Sequence, residues 1–167
     1  MIALTAQDVL RHVNGLIGIH RELLALAGEK KQAIIDNRVD DVSRIVNQES
    51  RLVRKIEEAE KEWKDLARHF AEAQGLRKKG ALTLGEMIRH IHHADEKLAL
   101  KQAQQELVTV ISELKKANEL NQDLIRQSLA FINYSLDLMT GSDDYAIYDR
   151  PDSRRHAGRK GFFDVQA

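Results

Sequence analysis

Apolar residues along this chain keep helical 3,4 spacing almost throughout, and the places where the spacing stops divide it into four segments. From about Thr5 to Ile35 they fall on two adjacent frames: Leu10, Val13, Ile17, Leu24, Ala27, Ile34, and Val9, Leu16, Ile19, Leu23, Leu26. A helix touching two neighbours shows this pattern. Thr5, with Asp8 three residues later, reads as a capping box at its start. Gly15 and Gly18 lie inside it, each costing up to about 1 kcal/mol relative to alanine. Close approach of a neighbouring helix is the expected reason for them.

A turn is predicted at Asp36-Asn37-Arg38, with Asn37 as cap of a second helix over 39–74. That helix has the cleanest register in the chain: Val42, Ile45, Glu49, Leu52, Ile56, Ala59, Trp63, Leu66, Phe70. One polar position in four heptads points to coiled-coil-like packing, with Trp63 as a core anchor. Residues 74–82, QGLRKKGAL, break the period with two glycines and three basic residues and read as a loop. Thr83 and Glu86 form a second capping box, opening a short helix over 83–92. The run from His90 to Asp95 marks a bend, although one helix from 83 to 140 also fits. The last helix, 95–140, stops at Gly141 and is close to 70 Å long at about 1.5 Å per residue.

That last helix carries more apolar surface than one neighbour needs. Its upstream repeat is Leu100, Ala103, Leu107, Val110, Leu114, Ala117, which turns patchy at Asn121, Leu124, Ser128, Phe131, Ser135, Leu138. A second, fully apolar repeat starts one residue over: Ile125, Leu129, Ile132, Leu136, Met139. One stripe can pack within the protein and the other asks for a partner. The fold expected is all-α, an antiparallel bundle of three long helices plus one short helix, over residues 1–140. Residues 141–167 are polar, charged and aperiodic, and read as a flexible tail.

Composition narrows the function. With 26 basic and 26 acidic residues the net charge is zero, which argues against a nucleic-acid binder. The chain has no cysteine, so there is neither a disulfide framework nor thiol chemistry. No basic-then-apolar leader and no run of about 18 apolar residues is seen, so the reading is intracellular, without membrane insertion. Six of the eight aromatics lie in the last 40 residues, where they suggest recognition.

Catalytic chemistry finds little support. Seven histidines are present, and His90 and His93 share a helix face, but neither Glu-x-x-His nor His-Glu-x-x-His occurs. No metal and no cofactor are expected. There is no glycine-rich phosphate loop and no Gly-x-Ser-x-Gly. Acidic runs such as EEAEKEWKD (57–65) read as solvated helix faces. The chain is not expected to be an enzyme.

Two stretches resemble the FlgN family of bacterial flagellar export chaperones. One is LLALAGEKKQAIIDNRVDDVSRIVNQESRLVRKIEEAEKEW (23–63). The other is ELKKANELNQDLIRQSLAFINYSLDLMTG with the later Tyr148-Asp149, similar to the family's N-x-x-N-x-x-L-x-x-x-S-L ending at Asn118, Asn121, Leu124, Ser128 and Leu129. The likeness extends in layout over most of residues 1–150. The family often has a proline between its short and long helices, where this chain has His92-His93-Ala94. The resemblance implies a cytoplasmic chaperone that binds the C-terminal helical segment of hook-associated proteins, prevents premature assembly, and delivers them to the membrane export gate and ATPase complex of the flagellar type III apparatus. Joined to the stripe, it points to Leu124, Ile125, Leu129, Phe131, Ile132, Leu136 and Met139 as client contacts. Tyr134, Tyr145 and Tyr148 are candidates for gate docking. A self-associating coiled-coil scaffold, a homo-oligomer through the same stripe, is the alternative.

Overall fold

A computed structural model describes residues 5–77 and 79–141. They form four helices, α1 (Ala6–Ile35), α2 (Val39–Ala73), α3 (Leu84–Arg89) and α4 (Ala94–Thr140), with no strand among the described residues. The class is all-α. The short and long helices are separate: the backbone leaves helical geometry after Arg89 and resumes it at Ala94. Of the predicted tail, 141–167, all but Gly141 lies outside the described residues.

The helix boundaries follow from local chemistry. Thr5 caps α1: its backbone N–H donates to Asp8 Oδ2 at 2.8 Å, and the Asp8 N–H donates to Thr5 Oγ1 at 3.3 Å. Thr83 and Glu86 repeat the device at α3, with reciprocal bonds of 3.0 and 3.2 Å. The cap expected at Asn37 is not made. The N-cap of α2 is Arg38, which has no side-chain cap bond. Asn37 instead adopts φ 54°, the left-handed region that asparagine tolerates better than most residues. There it closes α1, its N–H donating to the Ile34 carbonyl while the Arg38 N–H donates to the Ala33 carbonyl. Arg38 binds Asp41 at 2.6 Å, and the acidic pair Asp40 and Asp41 favours the positive end of α2.

Two apolar clusters fill the interior of residues 5–126. The first joins Val9, Val13 and Ile17 of α1 to Ala67 and Phe70 of α2, Met87 and Ile88 of α3, and Leu100 and Ala103 of α4. The second joins Leu23 and Ala27 of α1 to Leu52 of α2 and Leu114 of α4. Fully burying one such large apolar side chain contributes about 1.5–3 kcal/mol. Every residue of the α2 register is buried or half-buried, Glu49 included. Trp63 packs against the first cluster, as expected of a core anchor. Gly15 and Gly18 are exposed, and a Cβ on either would meet nothing within 4 Å. No close helix contact requires them, contrary to the sequence expectation.

Candidate functional site

α4 changes character along its length. As far as Asn121 its 3,4 repeat is inward: Leu100, Ala103, Val110 and Leu114 are buried. Asn121, 2% exposed, is the last buried residue of the helix. Beyond it the described residues are almost all exposed while the sequence stays apolar. Ile125, Leu129, Ile132, Leu136 and Met139 are exposed, as are Phe131 (70%) and Tyr134; Leu124 is half-buried.

Helix geometry sets the directions of these side chains. At about 100° per residue, Ile125, Leu129, Ile132, Leu136 and Met139 fall within a wedge of about 80°. Leu138 and Leu120 are exposed as well, which the sequence reading did not single out. The signal was present: both lie on the arc of the patchy repeat, which also holds Leu124 and Phe131, two of the predicted client contacts. Among the candidates for gate docking, Tyr134 is exposed on α4, and Tyr145 and Tyr148 lie outside the described residues.

Large apolar side chains exposed this close together are more than the scattered single ones ordinary on a protein surface. Charge is nearly absent from this stretch, since Gln127 to Leu136 contains no Asp, Glu, Lys, Arg or His. The chemistry available is burial, with no reactive group in place. Among the described residues no cluster of three His, Asp or Glu is arranged to hold a metal ion. Among the same residues no helix is long and apolar enough to cross a membrane.

The family model described as FlgN protein matches residues 1–155. The chain belongs to the FlgN family. FlgN proteins are flagellar export chaperones that bind hook-associated proteins; the family is not an enzymatic one. A curated Bacillus subtilis (strain 168) protein, described as uncharacterized protein YvyG, is 26% identical over 147 residues, covering 88% of each chain. No solved structure matches. The FlgN match spans both the helices that form the core and the exposed part of α4.

Proposed function

We propose that this FlgN-family chain is a cytoplasmic export chaperone that uses the end of α4 to hold the C-terminal amphipathic segment of a hook-associated protein. Leu124, Ile125, Leu129, Phe131, Ile132, Leu136 and Met139 contact the client, which is thereby kept from assembling early and is handed to the export gate. Tyr134, Tyr145 and Tyr148 serve docking at that gate. The body of the protein is an antiparallel bundle with coiled-coil-like packing. The two clusters support this, pairing the start of α1 with the end of α2 and the later part of α1 with the middle of α2.

One observation carries the reading: a helix whose inward repeat ends at Asn121 continues for some 20 residues with its large apolar side chains exposed, Leu124 alone half-buried. Burying roughly 1,000 Å² of apolar surface there corresponds to a gross gain near 25 kcal/mol. Ordering the client and losing its translational freedom offset much of that. Release then needs no nucleotide chemistry within this chain.

The test is a pull-down of C-terminal segments of hook-associated proteins with the native chain and with Ile132→Asp. The chaperone reading expects loss of capture, with helical content and melting unchanged because Ile132 is exposed. If no segment is captured and the same substitution breaks a homo-oligomer, the self-associating scaffold is the correct account.

A further inference from the structure

Resting on that reading, we infer that the end of α4 has two separate apolar faces, and that its occupant is a pair of client helices clasping it from both sides. Ile125, Leu129, Ile132, Leu136 and Met139 form the first face. Leu124, Phe131 and Leu138 form the second, centred about 120° away around the helix. Ser128 and Ser135 lie on the seam between them.

Width decides against a single helix in one groove. Packing against one neighbouring helix uses an apolar stripe of about 100°. The two faces together span about 180°, so one partner helix leaves Phe131 and Leu138, or the first face, in water. Both faces reach solvent: Phe131 and Leu138 are more exposed than every first-face residue but Met139, while Leu124 is half-buried.

Charge defines the occupant's chemistry. Between Leu120 and Gly141 the chain has only three charged residues, Asp123, Arg126 and Asp137, and all three fall on the remaining arc. Both client helices therefore present uncharged apolar stripes, and the polar arc of α4 stays in water. An occupant with charge on its contact surface would find no counter-charge on either face.

The experiment is calorimetric titration of the full chain with a synthetic C-terminal segment of a hook-associated protein, and with its two halves separately. Ile132→Asp on the first face and Leu138→Asp on the second are each expected to weaken the whole segment at least tenfold. Asn133→Asp, on the polar arc, is expected to leave it within twofold. Each half should respond to one of the two face substitutions only. If Leu138→Asp and Phe131→Asp bind as the native chain does while Ile132→Asp does not, the pair is overturned and the chaperone reading stands. If all three are without effect, both fall. If light scattering shows a dimer of the free chain that Phe131→Asp dissociates with client affinity unchanged, a second copy covers that face and the pair is again overturned. Circular dichroism of each variant checks that the exposed substitutions leave the fold intact.

Discussion

The Asn121 amide donates to the Ala27 carbonyl at 2.8 Å, joining α4 to α1 across 94 residues of sequence. The bond sits at the last buried position of α4. It is only half a solution, because Asn121 Oδ1 is buried with no hydrogen-bond partner. A buried acceptor without a partner costs about 1–3 kcal/mol, more than a typical bond returns. The Ala27 carbonyl lies within α1 and keeps its place in that helix's own ladder. Asn121→Leu is therefore expected to raise the melting temperature, whereas Asn121→Ala, which leaves a void, lowers it. Thermal unfolding of the two variants checks the sign.

Lys30 and Glu49 join α1 to α2 through both carboxylate oxygens, at 2.8 and 2.9 Å, with side chains only 14% and 18% exposed. Removing one partner of a buried pair costs about 3–5 kcal/mol, because it strands the other charge. This pair is not wholly buried, so Glu49→Ala is expected at or below the lower end of that range. The double substitution Lys30→Met, Glu49→Leu is expected near the native value. Breaking the exposed pair of Arg126 with Asp123, at 3.1 Å, should cost less than about 1 kcal/mol. Urea unfolding of the three variants and the native chain measures all of this on one scale.

The sequence revealed α2 well because one period controls its whole length: each residue of the heptad line is buried or half-buried. Both Thr capping boxes were legible, since three residues of local sequence contain the whole device. The polar interruption at Glu49 was visible, but its partner, 19 residues away, was not. Asn37 misled because asparagine suits both a helix cap and a left-handed turn, and only the backbone decides between them. The stripes of α4 were legible as a pattern but not as a fate. A strict heptad drifts about 20° per repeat on a straight helix, so from Leu100 to Ser135 the original line turns by about one residue's width. Three successive steps of four, Ala117, Asn121, Ile125 and Leu129, restore the direction. Whether the displaced line is then covered depends on where neighbouring helices end, which periodicity does not encode.

Gly15 and Gly18 offer stability that the fold does not use. Both lie in the interior of α1, neither has positive φ, and an added Cβ would meet nothing within 4 Å. Glycine at an exposed helix interior is less favourable than alanine by about 0.8–1.0 kcal/mol. Gly15→Ala and Gly18→Ala are each expected to stabilise the protein by roughly that amount. They are i,i+3 neighbours on one helix, about 5–6 Å apart, so the double variant reads any coupling between them. Chemical denaturation of the single and double variants tests this, and a loss of stability would show that the glycines are needed for contacts absent from the folded monomer.

His12 makes stability depend on pH. Its side chain is 9% exposed, its ring centre lies 5.6 Å from that of Trp63, and Nδ1 is 3.8 Å from the Glu62 carboxylate. Burial disfavours the charged ring and lowers its pKa below the ordinary value; the Glu62 charge opposes this and is the smaller effect. The folded state therefore binds a proton less readily than the unfolded chain. Above the ordinary histidine value of about 6.5 both states are neutral at this position and the group contributes nothing. As pH falls through that value the unfolded chain is protonated first, so folded stability declines until the folded-state pKa is passed. Asp8 does not confuse the reading. Its carboxyl is held below the usual value mainly by hydrogen bonds from Thr5, and that contribution is lost only on acidification through the carboxylate range. The native chain should lose melting temperature between about pH 7.5 and about pH 5, relative to His12→Phe, which keeps an aromatic ring against Trp63 and cannot titrate. Parallel curves for the two proteins would mean that the imidazole is solvated in the folded state.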